Sequence, residues 1–378
     1  GSGLMARVRD VAVRLRRHKP DVGPLPPNVC RAPFTSMYLD QHGSIRACCQ
    51  NTEHPLGNIA EQRLRDIWDS DEAKILRDAM LAQDLGLGCQ FCKWQVAEGN
   101  DALVFARTFD HLEAESTSPQ WPKQLELSMS NACNLQCVMC NGEWSSSIRA
   151  RREKLPPLPK VYGDEFFDEL AGQFSNLRRI ELYGGEPFLA RESLRLLDLL
   201  VARAPHVAVS ITTNGTIWND RVERLLDALP ISIMVSVDGC TKETFESIRV
   251  GASWDDVQAN IARFRAACDR SGTSFGIAHC LMVQNWHEFP DLVRWTESMR
   301  VNLFVNTVDY PFEVSLFALP ADDLRAVVDQ LGRADPDMHH LRPDWSAVWS
   351  GQLRQLRQHL AGLEDSASTS TRLPLTPE

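Results

Sequence analysis

Apolar and polar residues alternate with a period of two along several stretches of the chain, which predicts β-strands. The first of these stretches is Gln124-Leu-Glu-Leu-Ser-Met129. Five further strands are predicted around Ile180–Tyr183, Ser210–Thr212, Ser232–Asp238, Ala278–Gln284 and Asn302–Asn306. Helical periodicity between them predicts helices over Asp164–Phe174, Glu192–Ala204, Asp220–Leu229, Trp254–Asp269 and Phe289–Met299. Six strand–helix units in parallel order predict an α/β fold, a partial (β/α)6 barrel with its site at the carboxyl ends of the strands.

One face of each predicted strand is polar, and we expect that face to line the interior. The inward set predicted in this way is Glu126, Ser128, Glu181, Tyr183, Ser210, Thr212, Ser232, Met234, Ser236, Asp238, Ala278, Cys280, Met282, Gln284, Asn302, Phe304 and Asn306. A polar interior predicts a cavity that holds a polar ligand. The alternative is a hydrogen-bonded interior without a ligand.

The region before this repeat has a pattern of its own. It predicts a hairpin of Phe34–Leu39 and Ser44–Cys48, and then one helix over Ile59–Leu81. Four cysteines, Cys30, Cys48, Cys89 and Cys92, are spaced around these elements as metal ligands would be, with Cys49 as the alternative to Cys48. A structural four-cysteine zinc site is the competing interpretation.

These patterns divide the chain into six segments. We expect an N-terminal arm (1–29), a small Cys-rich module (30–95), a linker with one helix (96–120), the partial barrel (121–320), C-terminal helices (321–364) and a disordered tail (365–378).

Composition narrows the function classes. The 378 residues carry a formal charge of −10, and Arg14-Leu-Arg-Arg-His18 is the most basic run, so no nucleic-acid partner is expected. No apolar stretch reaches the roughly 18 residues of a membrane span and no signal-peptide pattern is present, so we expect no membrane partner and a cytoplasmic location. Eleven cysteines in a large acidic chain favour metal binding over disulfides.

The spacing Cys133-x3-Cys137-x2-Cys140 follows directly on the first strand. Three thiolates on one short loop can hold three irons of a 4Fe–4S cluster and leave the fourth iron open to an outside ligand. A helix face or part of a zinc site are the alternatives, and the position after a strand argues against the helix.

This motif resembles that of the radical S-adenosylmethionine (SAM) superfamily, and the strand ending in Gly184-Gly185-Glu186-Pro187 strengthens the resemblance. Weaker matches follow in order at Thr212–Gly215, Ser236–Gly239, Ser247–Arg249 and Val283–Asn285. The resemblance implies SAM bound at the open iron, with contacts from Met139, Gly184, Gly185, Glu186, Ser236, Arg249 and Asn285. A surface charge is the alternative role for Arg249.

The N-terminal module resembles the Twitch/SPASM auxiliary-cluster module of the same superfamily, although that module usually follows the barrel. The resemblance implies a second 4Fe–4S cluster, held by Cys30, Cys48, Cys89 and Cys92. With four cysteine ligands, such a cluster is expected to carry electrons rather than to bind substrate.

Taken together, the resemblance implies an enzyme that reductively cleaves SAM to a 5′-deoxyadenosyl radical and removes a hydrogen atom from a substrate. We expect a small polar natural-product or sugar-like substrate, oxidation or epimerisation, and a reducing partner such as flavodoxin or ferredoxin. The alternatives are a maturase of a peptide or protein, disfavoured because about 29 residues before Cys30 cannot hold a leader-binding winged-helix domain, and a non-catalytic Fe–S or zinc protein. Cys280 is the candidate hydrogen-atom donor in the interior, with packing as its alternative role, and Asp309 is the candidate proton acceptor.

Overall fold

The computed structural model describes Leu25, residues 28–97 and residues 104–370 of the chain, with side chains described up to residue 365. The expected N-terminal arm therefore lies almost entirely outside the described residues, as do residues 371–378 of the expected tail.

The strands follow one another in the predicted order. They are β1 Ser36–Leu39, β2 Ser44–Arg46, β3 Gly57–Asn58, β4 Gln124–Leu127, β5 Arg179–Leu182, β6 Ala208–Thr213, β7 Ile231–Ser236, β8 Phe275–Leu281 and β9 Asn302–Thr307.

The helices of the N-terminal region come first along the chain. They are α1 Ala32–Thr35, α2 Leu64–Trp68, α3 Asp71–Leu81 and α4 Gln90–Ala97. The helices between the later strands are α5 Ser146–Arg151, α6 Asp164–Gly172, α7 Arg191–Arg203, α8 Asp220–Ala228, α9 Lys242–Ile248, α10 Trp254–Ser271 and α11 Phe289–Met299. The chain continues with α12 Ala321–Met338 and α13 Pro343–Ser370. The predicted fold class is confirmed: this is an α/β chain with the strand–helix alternation of a partial (β/α)6 barrel, preceded by a Cys-rich region.

Two compact units make up the fold. The first consists of Gly1–Ala132, Pro156–Ile211 and Arg224–Ile231, and the second of Cys133–Leu155, Thr212–Glu223 and Ser232–Glu378.

In the first unit the N-terminal hairpin belongs to the same sheet as the first strands of the barrel. The strand order is β3-β2-β1-β4-β5-β6, with β1 antiparallel to β2 and parallel to β4. All four residues of β1 are buried, as expected for a strand paired on both sides. The sequence predicts the hairpin but not its pairing with β4.

In the second unit β7, β8 and β9 are parallel neighbours. The two C-terminal helices pack behind this sheet, where Trp349 of α13 is fully buried and stacks on Phe289 with ring centroids 5.4 Å apart. The Trp349 indole donates to Asp335 Oδ1 of α12 over 2.9 Å, so its polar atom is satisfied inside the core.

The predicted helix over Ile59–Leu81 is wrong in one respect, because it is two helices. α2 ends at Trp68, and Ser70 starts α3 by accepting a hydrogen bond from the Ala73 amide. A serine cap of this kind contributes about 1 kcal/mol, and it competes with continuation of the preceding helix.

Three further differences concern short or terminal elements. The helices α5 and α9 are too short for the periodicity to reveal, and the linker helix is a 3-10 turn over Phe105–Phe109. The helix α13 ends at Ser370, and the prediction of disorder for residues 371–378 lies outside the described residues. No helix among the described residues is both long and apolar enough to cross a bilayer.

Candidate functional site

The CxxxCxxC loop is fixed on one side by the start of α5. The Ser145 side chain caps that helix by accepting from the Ile148 amide at 3.2 Å, and its hydroxyl donates to the Leu135 carbonyl at 2.6 Å. The Ser146 hydroxyl accepts from the Cys133 amide at 3.1 Å and donates to the Cys133 carbonyl at 3.2 Å. Two serines of one helix start therefore set the backbone of the cysteine loop.

The end of α9 fixes the loop on its other side. The Gln136 amide donates to the Val250 carbonyl over 2.9 Å. Arg249 lies between the end of α9 and Val250 in the sequence. It is only 8% exposed, and its Nη1 lies 3.9 Å from Cys137 Sγ. The alternative of a surface charge for Arg249 is therefore wrong.

Arg249 is held by a buried carboxylate. Its Nε and Nη2 both lie 2.7 Å from Asp238 Oδ2, and Asp238 is fully buried. Burial would lower the pKa of Arg249, but Asp238 and Cys137 raise it above the ordinary value, so the guanidinium stays charged. A fixed positive charge beside a ligand thiolate is one of the levers by which a protein sets the potential of an Fe–S cluster.

Asn285 ties the same network together. It is fully buried, its Oδ1 accepts from the Met282 amide at 2.8 Å, and its Nδ2 donates to the carbonyls of Asp238 and Cys280 at 3.0 and 2.8 Å. Both amide hydrogens are thus used within the protein, which gives Asn285 a positioning role. Its contact with adenine stays a prediction.

The other site residues predicted in the second unit differ in how far they are buried. Met139 and Cys280 both pack on the apolar cluster of Ile248, Met282, Val308 and Val314. Ser236 is half-buried at the end of β7, and Asp309 is exposed just after β9. The structure thus brings Cys280 and Met139 to one apolar cluster, while the roles predicted for these residues stay predictions.

The Gly-Gly-Glu turn after β5, in the first unit, packs tightly against the segment that leads into the first cysteine. Gly184 has φ +104°, and a Cβ on Gly185 would lie 2.3 Å from the Ala132 carbonyl oxygen, so both positions require glycine. The Glu186 amide donates to that same carbonyl over 2.7 Å. The Glu186 carboxylate is fully buried and its Oε1 accepts from the Phe188 amide at 3.1 Å.

The four thiols predicted for the auxiliary cluster all lie in the first unit. Cys30 and Cys48 pack against a small apolar cluster of Ala32, Phe109 and Leu112. Burial, and to a smaller extent the nearby thiols of Cys92 and Cys89, raise the pKa of Cys30 to about 12.

Cys49 faces different neighbours from Cys48. Burial raises the pKa of Cys49 to about 12, with Glu126 raising it further and Arg46 lowering it. Burial also raises the pKa of Cys48, and the thiols of Cys49 and then Cys30 raise it further, whereas Glu126 is not among its neighbours. This arrangement supports Cys48 over Cys49 as a ligand.

Both cysteine sets suit iron–sulfur clusters. Buried thiolates close to one another repel, and they need cationic iron to remain ionised together. Among the described residues, no three Cys, His, Asp or Glu side chains converge as ligands of a single metal ion would. In an iron–sulfur cluster each thiolate binds its own iron.

Two residues hold the site although the sequence assigned them no role in it, Asp238 having been predicted only to face the interior. One is Asp238, and the other is Asn214, whose Nδ2 lies 3.9 Å from Cys133 Sγ and 3.0 Å from Asn134 Oδ1. Both lie in the short motifs quoted above, so the sequence signal was present. Their hydrogen-bond partners are distant in sequence and could not be identified from it.

A cysteine loop of this kind, with a glycine-rich turn and a separate four-cysteine set, defines an iron–sulfur enzyme. Residues 127–296 match the Radical SAM superfamily, and residues 30–93 match the SPASM iron-sulfur cluster-binding domain. The chain therefore contains a radical SAM domain and, before it, a SPASM iron–sulfur cluster-binding domain. Its cofactors are SAM, a 4Fe–4S cluster and an additional iron–sulfur cluster, as predicted.

Several curated relatives share part of this chain. The probable GTP 3′,8-cyclase of Methanocaldococcus jannaschii is 27% identical over 46% of this chain and 54% of the relative. The GTP 3′,8-cyclase of Erythrobacter litoralis is 29% identical over 45% of this chain and 49% of the relative. The chain thus spans about half the length of these relatives. Among solved structures, Streptococcus suis SuiB bound to S-adenosylmethionine aligns with 72% of this chain and 65% of SuiB, at 13% identity and a TM-score of 0.42.

Proposed function

We propose that this protein is a radical SAM oxidoreductase or isomerase that acts on a small polar natural-product or sugar-like substrate. The observation that carries the substrate class is the polar strand face of the first unit, where Glu126 and Glu181 are paired across β4 and β5. A face of this composition offers hydrogen bonds to a polar ligand rather than a surface for an apolar one.

The cofactors supply a 5′-deoxyadenosyl radical that removes a hydrogen atom from a C–H bond. The chain's own residues orient the reactants and exclude water. Cys133, Cys137 and Cys140 are the ligands of the SAM-binding cluster in this proposal, and Arg249 places a positive charge beside the second of them. Gly184 and Gly185 permit close approach of the backbone, and Glu186 is the acceptor for the SAM ammonium group.

In this proposal the second cluster carries electrons, and a separate redox protein supplies them. Cys30, Cys48, Cys89 and Cys92 are its proposed ligands. A flavodoxin or ferredoxin is the proposed reducing partner.

The names of the curated relatives favour a small-molecule substrate over a peptide, since GTP is a small molecule. GTP itself is a poor match for the polar face of the first unit. Its triphosphate is strongly anionic, and the Glu181 carboxylate on that face repels anions.

The substrate class can be tested by fractionation. Reconstituted protein with SAM and a chemical reductant should form 5′-deoxyadenosine slowly alone. A cell extract is digested with protease, and its fraction below about 1 kDa is added to the reaction. This fraction should raise the rate of 5′-deoxyadenosine formation at least about tenfold, because substrate binding completes the site. High-performance liquid chromatography of 5′-deoxyadenosine measures the effect.

The peptide fraction of the same extract, left undigested, is the control. Stimulation by that fraction alone, abolished by protease, would overturn the small-substrate proposal in favour of a peptide maturase.

Cys280 is the proposed donor in the epimerisation branch of this function. Its thiol packs with Met139 on the apolar cluster described above. In deuterium oxide a thiol donor exchanges its hydrogen, so the product carbon should carry solvent deuterium in the wild type and should not in Cys280→Ala. Mass spectrometry of the product measures this.

Cys268→Ala is the matched control, because Cys268 is a buried cysteine on α10, outside both predicted sets of cluster ligands. Normal turnover and an unchanged product in Cys280→Ala would return Cys280 to a packing role. A deuterium-free product in the wild type points to oxidation, with Asp309 as the proposed proton acceptor.

A further inference from the structure

The sheet of the first unit places two carboxylates side by side on its polar face. Glu126 of β4 and Glu181 of β5 are direct partners in the parallel register. Side chains at such positions lie close enough to interact, and like charges there repel. Tyr38 of β1 is the register partner of Glu126 on the other side, so the polar face continues into the N-terminal hairpin.

The two carboxylates differ in what surrounds them. Glu181 accepts from Arg179 Nε over 2.7 Å and from the hydroxyl of Tyr183. Glu126 is only 4% exposed, and its Oε1 accepts from two neutral donors, Gln124 Nε2 at 3.3 Å and the Ser36 hydroxyl at 3.5 Å. Glu181 therefore has a cation beside it, and the hydrogen bonds of Glu126 come from neutral groups.

Gln124 supplies a second, independent sign of a ligand. It is 3% exposed, and within the described residues its Oε1 has no hydrogen-bond partner. Its Nε2 donates to Glu126, so the amide group lies beside that carboxyl group. A buried amide oxygen without a partner costs free energy, and a bound donor would remove that cost.

The charges around Glu126 and Glu181 favour the binding of a cation. Burial, followed by the neighbouring Glu181, raises the pKa of Glu126 to about 8. The charged and titratable groups on the neighbouring strands and loop are Tyr38, Arg46, Cys49, Arg179, Glu181 and Tyr183. Glu126 is therefore mostly protonated at pH 7 when nothing is bound.

We propose that Glu126, Gln124 and Glu181 form a subsite for a primary ammonium group of the substrate. An ammonium group has three donors and no acceptor, and the subsite presents three acceptor groups. This inference rests on the proposed function and narrows its substrate class to an amine-bearing polar molecule. On binding, the Glu126 carboxylic acid loses its proton to solvent and the resulting carboxylate pairs with the ammonium.

The proton balance gives a direct test on the reconstituted protein. Calorimetric titration with D-glucosamine at pH 7, in two buffers of different ionisation enthalpy, should show net proton release. The release should be somewhat less than one proton per molecule bound, because the small neutral share of the amine takes up a proton when it binds as ammonium. D-glucose, which lacks the amine, should bind at least about tenfold more weakly and release none. The carboxylic acid band of Glu126 in the infrared spectrum should disappear with D-glucosamine.

Variants separate binding from folding. Glu126→Gln should remove both the infrared band and the proton release, and weaken D-glucosamine binding about tenfold. Gln124→Met should weaken binding to a similar extent while retaining proton release. Glu165→Gln, an exposed glutamate in the first turn of α6, is the control and should behave as the wild type.

Equal affinity for D-glucosamine and D-glucose, or amine binding without proton release, would overturn the subsite. Nα-acetyl-lysine amide provides a third titration. If it binds more tightly than D-glucosamine, the amine comes from a peptide side chain and not from a small molecule. Formation of 5′-deoxyadenosine without substrate is measured in parallel, so that a failure of the proposed function is distinguished from a failure of the subsite.

Discussion

Replacing Cys133, Cys137 and Cys140 together by alanine is expected to abolish SAM cleavage completely. The reconstituted wild type should contain about eight irons per chain and the variant about four, because one of two 4Fe–4S clusters loses all of its ligands. Iron analysis and 5′-deoxyadenosine formation measure the two effects. The expectation follows from three thiols on one loop that α5 and α9 hold in place from both sides.

Cys268→Ala serves as the control for this variant and should retain all the iron and the cleavage activity. Cleavage of SAM by the triple variant would remove the central assignment of this site.

The second large effect concerns the other cluster. Cys89→Ala combined with Cys92→Ala should lower the iron content to about four per chain, keep SAM cleavage and eliminate product formation from the substrate fraction. The reason is that these thiols lie at the start of α4, outside the cysteine loop, where an electron carrier rather than the radical source is expected.

Cys49→Ala is a close control, since Cys49 adjoins Cys48 in sequence but has Glu126 and Arg46 as its electrostatic neighbours. It should keep about eight irons. Stoichiometric zinc in the wild type, together with normal turnover, would instead favour a structural zinc site. Loss of iron in Cys49→Ala would reverse the choice between the two adjacent cysteines.

Much of this fold could be predicted because the strands and longer helices have strong local patterns. The helix over Phe289–Met299 was predicted with its observed bounds, and the strand alternation appears in the burial of β5, β6 and β7. The cysteine spacings likewise depend only on local sequence. Ser70 is an exception to this local predictability, because its side chain caps α3 and so divides one predicted helix into two.

What the sequence could not provide is pairing between distant residues. Asp238 and Arg249 are close in sequence, but their burial and their contact with Cys137 depend on how α9 packs beside the cysteine loop. The register between Glu126 and Glu181 depends on how the 54 residues between them in the sequence fold. The difference between the two carboxylates then follows from their neighbours in space, which residue type alone does not determine.

Because β1 pairs in parallel with β4, the N-terminal region and the SAM-binding portion cannot be separated or exchanged as independent domains. A chain trimmed to its SAM-binding portion would leave β4 with an exposed hydrogen-bonding edge, and such edges promote aggregation. Grafting the N-terminal region onto another enzyme would equally require an acceptor strand of matching register. The cysteine-rich segment is thus an integral strand donor to the first unit, and an inserted or deleted residue in β1 would turn its side chains to the opposite face.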